Sequence, residues 1–143
     1  MSRKLNTKHG GFTLVEIMIV VAIIALLATI AVPNFLRSRK RSQATQTLED
    51  LRILQDASDL YAVEHPSVSD VGWEDLLPYI KTDSRLYSAE TGTGGSAAIK
   101  DILGNNFVGV HVGWGDNRNY VNPATFNALS DVAPASFWSP YLQ

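Results

Sequence analysis

Glu16 is the one ionisable side chain in residues 12–36, a run otherwise made of apolar and small residues broken only by Thr13, Thr29, Pro33 and Asn34. Holding an ionised carboxylate in a bilayer's hydrocarbon costs roughly 2.5–3.5 kcal/mol on insertion scales, so such a residue is kept where a partner meets it. The chemistry this placement points to is charge pairing at low dielectric rather than bond breaking. The usual reactive constellations are missing. His9, His65 and His111 have no metal-ligand neighbour at useful spacing. There is no cysteine, hence no thiol nucleophile and no disulfide, and neither a Gly-x-Ser-x-Gly nor a His-Glu-x-x-His pattern occurs. The Gly-rich tract at residues 91–96 lacks the Gly-Lys-Ser/Thr ending and the preceding strand of a phosphate-cradling loop, and it reads as a flexible loop. Asp116, Asn117 and Asn119, with Asp101 or Asn105 approaching from a distance, offer the hard oxygens calcium takes. The EF-hand spacing is absent, however, and oxygen-rich turns are ordinary turn chemistry. No catalytic residue, no metal ligand and no cofactor is expected.

The elements that must position Glu16 follow from the pattern around it. Residues 12–36 form a stretch of about 25 residues, long enough at 1.5 Å per residue to cross a ~30 Å hydrocarbon core with tilt. A secretory signal cut after Ala31, with Thr29 and Ala31 at the small-residue positions, is one rival reading, and a plain uncleaved anchor is another. Neither explains the acid inside the run. Basic residues flank it on both sides, Arg3, Lys4 and Lys8 before and Arg37, Arg39, Lys40 and Arg41 after, so charge bias alone does not set orientation. The second cluster fits juxtamembrane lipid contact better than a nucleic-acid surface, which needs basic residues spread over a folded face. The overall charge of −2 hides this segregation, because the chain from Ser42 onward is acidic. Pro33 lacks an amide proton and its ring crowds the carbonyl four residues back, which predicts a bend inside one long helix.

Beyond the basic cluster, Ala44, Leu48, Leu51, Leu54, Ala57 with Ser58, and Tyr61 recur at three- and four-residue steps. That is one apolar stripe of an amphipathic helix, with Glu49, Arg52, Asp56 and Asp59 opposite and the pairs Glu49–Arg52 and Arg52–Asp56 at salt-bridge spacing. His65 before Pro66 ends it. About 80 residues then remain for a globular part, marginal in size unless it packs on the helix. Residues 73–77 predict a short helix stopped by Pro78, and residues 82–106 read as loop. Val108, Val110, Val112 and Trp114 alternate with Gly109, His111 and Gly113, predicting a strand; Tyr120 and Val121 begin its return after a turn at residues 115–119. Asn122 and Pro123 cap a short helix to about Leu129, with a strand as the alternative. The aromatic tail around Phe137, Trp138 and Tyr141 is expected to dock on the core, against the long helix.

A basic leader ending in Gly11, an aromatic Phe12, Glu16 four residues on and Pro33 late in the apolar run form an ordered set. Over roughly residues 8–36 this set closely resembles the N-terminal cleavage and methylation signal of type IV prepilins and type II secretion pseudopilins. The resemblance implies an α+β, pilin-like fold: a leader at residues 1–11, a transmembrane and assembly helix at 12–36, its amphipathic second half at 37–65, and a small β-containing head domain at 66–143. It also implies a cut between Gly11 and Phe12 by a prepilin peptidase, N-methylation of Phe12, a cytoplasmic leader, and a helix kink at Pro33. Glu16 would pair with the Phe12 amine of a neighbouring subunit. From the residues alone, the amine lies only about 6 Å of axial rise from Glu16, so an intramolecular pair is equally open.

The function implied is a structural filament subunit, not an enzyme, assembled from the inner membrane into a periplasmic or cell-surface filament. Its implied partners are copies of itself, the peptidase, an inner-membrane assembly platform, minor pilins or pseudopilins, and membrane lipid, with no nucleic acid required. The missing cysteines and small head lean toward a pseudopilin of a type II secretion system, of the major, G-type kind. The aspartate-rich calcium loop of major pseudopilins is absent. A type IV pilus subunit for adhesion, motility or DNA uptake is the alternative within the family, and a signal-anchored periplasmic binding module the alternative outside it.

Overall fold

The computed structural model describes residues 11–68, 71–82, 84–87, 99–108 and 119–142. The chain divides into two compact units, Met1–Leu36 and Arg37–Gln143. A single long helix, α1 (Leu14–Glu64), contributes to both. In the first unit, α1 begins where the Thr13 hydroxyl accepts a hydrogen bond from the Glu16 amide at 3.3 Å, satisfying one of the amides that a helix start leaves open. The helix then passes through Pro33 without ending. Its apolar side chains are uncovered, with Leu14 75% and Leu26 68% exposed. The Thr29 hydroxyl, the polar group midway along, donates back to the Ala25 carbonyl at 2.9 Å and so is satisfied within the helix. By length and composition, α1 is long and apolar enough to cross a membrane.

In the second unit, the remainder of α1 buries Ala44, Thr47, Leu48, Asp50, Leu51, Leu54, Ala57, Ser58 and Tyr61, while Glu49, Arg52, Asp56 and Asp59 stay exposed. The polar members of this stripe are tied locally: Thr47 donates to the Gln43 carbonyl at 3.0 Å and Ser58 to the Leu54 carbonyl at 2.8 Å. Two apolar clusters form on it. Nearer the end of α1, Leu54, Ala57 and Tyr61 pack with Val71, Leu76, Ile80, Leu86 and Ile99. Nearer Arg37, Ala44, Leu48 and Leu51 pack with Val121, Leu129, Ala133 and Trp138, and Phe107 touches both groups.

Short elements deliver those side chains. Helix α2 (Trp73–Leu76) does not stop at Pro78 as the sequence suggested; it tightens into a 3-10 turn, Leu77–Tyr79, in which Pro78 sits at the start, where its missing amide is harmless. Helix α3 (Pro123–Leu129) is capped as expected, the Asn122 side chain accepting from the Ala124 amide at 2.9 Å. The tail docks as expected but forms a further helix, α4 (Ala135–Trp138). Trp138 is fully buried and donates from Nε1 to the Ala133 carbonyl at 3.1 Å, and the Tyr141 carbonyl accepts from the Val121 amide at 2.9 Å.

Among the described residues there is no strand, so the expected β content reduces to two isolated antiparallel bridges, Lys100 with Asn106 and Val108 with Tyr120. The second carries both backbone bonds, at 3.1 and 2.8 Å. The rest of the expected hairpin, including Val110, Val112 and Trp114, lies outside the described residues, as do the tract at 91–96 and the turn residues Asp116 and Asn117. Arg52 lies 3.8 Å from Glu49, while its second expected partner, Asp56, forms no ion pair among the described residues.

The second unit has its own core, so the fragment beginning at Arg37 is expected to fold alone and remain monomeric by size-exclusion chromatography. In that fragment Trp138→Ala should lower the unfolding free energy by about 3–5 kcal/mol, read by urea titration, because it empties the centre of the cluster nearer Arg37.

Candidate functional site

The start of α1 gathers the residues whose spacing carried the chemistry. Gly11 is exposed, and a side chain built on it would meet no protein atom within 4 Å. The fold itself therefore makes no demand for glycine there. Phe12 is 79% exposed and precedes the helix. Glu16 is exposed in the first helical turn and makes no ion pair among the described residues. In the uncut chain the Phe12 nitrogen belongs to a peptide bond, so no cation yet exists beside it.

Thr13 was missed in the sequence reading, and its signal was present. Thr13-x-x-Glu16 has the spacing of a capping box, in which a Thr hydroxyl caps the amide of the acid three residues on. Glu16 thus has a local role at a helix start, where a negative charge also complements the helix dipole. Charge pairing must be separable from that role by experiment. At Pro33, the Thr29 carbonyl loses the amide donor an ordinary residue would supply.

Polar groups farther along are bound into the second unit. Lys40 pairs with Asp131, its Nζ 3.0 Å from each carboxylate oxygen, while Arg37, Arg39 and Arg41 are exposed. Asp101, suggested by its oxygens as a distant calcium ligand, is 3% exposed and turned into its own loop. Its Oδ1 accepts from the Leu103 amide at 2.8 Å and the Asn105 amide at 3.0 Å, and the Thr125 hydroxyl donates to its Oδ2. Gly104, with φ of 86°, adopts the left-handed conformation that closes this turn, its amide bonding the Asp101 carbonyl at 3.0 Å. Asn105 donates to Thr125 at 2.8 Å, and Asn119 is buried against Ser58 and Gln55. Asp101 and Asn105 thus tie their loop to α3 through Thr125, and the Asn119 nitrogens tie the segment before α3 to α1. Among the described residues no cluster of three or more His, Asp or Glu is placed to hold a metal. His65 stacks on Tyr61 with ring centroids 4.3 Å apart at the end of α1. Nearby, Tyr79 donates to Glu64, and that bond to an anion pushes the Tyr79 phenol up. His9 and His111 lie outside the described residues.

Comparison with known proteins falls on the same N-terminal stretch. Residues 6–32 match the family model of the prokaryotic N-terminal methylation motif. The chain is 42% identical over 67 residues to the type IV major pilin protein of Myxococcus xanthus, covering 47% of this chain and 30% of that protein. It is 35% identical over 72 residues to the type II secretion system core protein G of Escherichia coli, covering 49% of this chain and 50% of that one. A third relative, the type IV wide pilus major component of Thermus thermophilus, is 40% identical over 57 residues, covering 40% of this chain and 44% of its own. The chain thus spans half or less of the length of these relatives. No solved structure is a significant match. The resemblance to the prepilin and pseudopilin class holds over the segment that carries Gly11, Phe12 and Glu16.

One buried charge in the second unit was also unforeseen. Asp50 faces inward among the apolar stripe and pairs with Arg85, whose side chain is half-exposed. Burial raises the Asp50 pKa above its usual value; the hydrogen bond and charge of Arg85 oppose that rise, while the charges of Asp101 and Glu49 add to it. A raised folded-state pKa means that this group's contribution to stability is fullest at low pH and is lost as pH rises through the folded value. Arg85 limits the loss. Arg85→Ala is therefore expected to destabilise the fold by about 1–3 kcal/mol at neutral pH and far less in acid, once Asp50 has taken up its proton. Urea midpoints of both forms across that range measure the difference.

Proposed function

We propose that this chain is the precursor of a structural filament subunit, a pseudopilin of a type II protein secretion system. In this reading the leader stays cytoplasmic, a prepilin peptidase cuts between Gly11 and Phe12, and the new Phe12 amine is methylated. Residues 12–36 hold the subunit in the inner membrane and then form the packed centre of a periplasmic or cell-surface filament. An assembly platform and minor subunits are its partners, and catalysis is not part of its work. The observation that carries the reading is the ordered set Gly11, Phe12, Glu16 and Pro33 within the matched methylation motif.

Several physical features support it. Glycine at position 11 is not demanded by packing, so a small residue there fits a requirement set by a protease. The uncovered apolar first half of α1 needs lipid or other copies around it. In the assembled state, Glu16 and a neighbour's Phe12 amine would neutralise each other where an unpaired charge is expensive. A bend at Pro33 would let the helix adjust as subunits pack. The Val108–Tyr120 bridge is taken as one rung of a β-hairpin in the head. The type IV pilus alternative is favoured by the 42% identity to a major pilin and differs in the machine served, not in the assembly chemistry.

Intact mass and N-terminal sequencing of the mature chain test the reading directly. An N-methylated Phe12 terminus is expected, whereas Met1 would mean a plain anchor and Val32 a secreted product. Gly11→Leu should leave the leader attached, visible as a slower band on a gel. Glu16→Gln separates pairing from capping, because glutamine serves a capping box about as well as glutamate does. Breaking a buried ion pair from one side costs about 3–5 kcal/mol, so Glu16→Gln should be processed normally yet enter sheared filaments beside wild-type subunits some hundredfold less often. Normal incorporation would refute pairing.

A further inference from the structure

The basic residues that follow the apolar run stand on opposite sides of α1. Residues 37–41 hold Arg37, Arg39, Lys40 and Arg41, and no acid occurs between Glu16 and Glu49. A helix turns by about 100° per residue, so Arg37 and Arg41 project about 40° apart while Arg39 projects about 160° from each. Lys40 lies on the side of the buried stripe, where Asp131 meets it at 3.0 Å. Arg37, Arg39 and Arg41 are exposed and form no ion pair among the described residues.

Such an arrangement does not suit a protein partner. A partner helix meets one face, and Arg39 does not share a face with Arg37 and Arg41. A ring of lipid headgroups meets all three. The spacing along the axis agrees, because residues 37–41 cover about 6 Å of rise and a bilayer's headgroup layer is roughly 5–7 Å thick beyond its hydrocarbon. Topology gives no other reason for the cluster: on the proposed orientation it lies on the non-cytoplasmic side, where basic residues oppose the usual charge bias. The planar fork of arginine matches phosphate oxygens, and its apolar stem lets it reach them from beside the hydrocarbon.

We propose that Arg37, Arg39 and Arg41 form a collar that binds the phosphates of anionic lipid in the outer leaflet of the inner membrane, favouring phosphatidylglycerol over zwitterionic phosphatidylcholine. The proposal rests on the filament reading for the leaflet, and deepens it by naming the lipid that the membrane stage recognises. Lys40, engaged by Asp131, is left out of the collar and belongs to the fold of the second unit. The collar sets how deep the subunit sits before assembly. Each arginine contributes separately, because each meets its own lipids.

Spin-labelled lipids report which headgroups a membrane protein keeps beside it. The full-length chain, with Arg3→Gln, Lys4→Gln and Lys8→Gln to silence the leader, is reconstituted into phosphatidylcholine vesicles. These carry a trace of spin-labelled phosphatidylglycerol or phosphatidylcholine, and the motionally restricted fractions of the two labels are compared. A preference for phosphatidylglycerol is expected. Arg37→Gln, Arg39→Gln and Arg41→Gln should each remove part of it and the triple substitution all of it, while replacing all three by Lys keeps most. Added salt should weaken the preference, equally for chloride and inorganic phosphate at matched ionic strength. An inserted chain without the preference, or one whose preference survives the triple substitution, overturns the collar and leaves the filament reading intact. So does an Arg39→Gln variant equal to the starting chain, which would mean a one-sided face, and so does displacement by phosphate beyond that by chloride, which would mean a site for the free anion. A chain that does not enter the vesicles overturns the membrane stage of the filament reading and the collar with it. A processed chain that shows the preference yet never enters sheared filaments overturns the filament reading and leaves the lipid contact.

Discussion

Uncovered apolar surface governs this molecule. Leaving a Val, Leu or Ile side chain in water forgoes roughly 1.5–3 kcal/mol relative to burying it, and residues 14–36 do so at almost every position. Among the described residues, the apolar clusters of the second unit gather on the stripe between Ala44 and Tyr61. On the proposed reading, the first half of α1 finds its cover outside the subunit. Lipid would supply it at first and other copies later, and a helix is the conformation that can be handed from one to the other with its backbone groups already satisfied.

The second half of the same helix solves the opposite problem. Among the described residues, its stripe is covered by short pieces with little regular structure of their own: one 3-10 turn, three helices of seven residues or fewer, and two bridged loop segments. None of these elements is long enough to be stable by itself. They are held because Leu76, Ile80 and Leu86 converge on one part of α1 while Leu129 and Trp138 converge on another. The helix is the template, and the Asp101 loop, sealed by Thr125 and Gly104, fixes how the chain returns to it.

How much of this was legible depended on period and on punctuation. The apolar run, the stripe, the stop before Pro66 and the Asn122 cap were readable because each is a local pattern with one physical meaning. Asp50 was not, since a carboxylate inside an apolar stripe looks like a surface residue until Arg85 arrives from 35 positions away. Nor was the continuation past Pro78, because proline ends an α-helix but starts a 3-10 turn without penalty. Helix α4 is too short for any periodicity to show. At the site, Gly11, Phe12 and Glu16 were found from type and order, while Thr13 was passed over although the acid three residues on completes a recognised cap.

That cap changes how Glu16 should be understood. With the leader removed as proposed, α1 would begin almost at the chain terminus, and a helix start leaves several amides without partners. Thr13 takes one of them, and a carboxylate within the first turn favours the positive end of the helix. The same residue that would hold a neighbour's amine therefore also stabilises the terminus on which its own amine is carried. On the proposed reading, a negative charge here would serve the free subunit in the bilayer before it served the filament, which gives a physical reason for an acid to be tolerated through the membrane stage. Its energetic cost in lipid would then be met in two steps, locally by the helix end and finally by the next subunit.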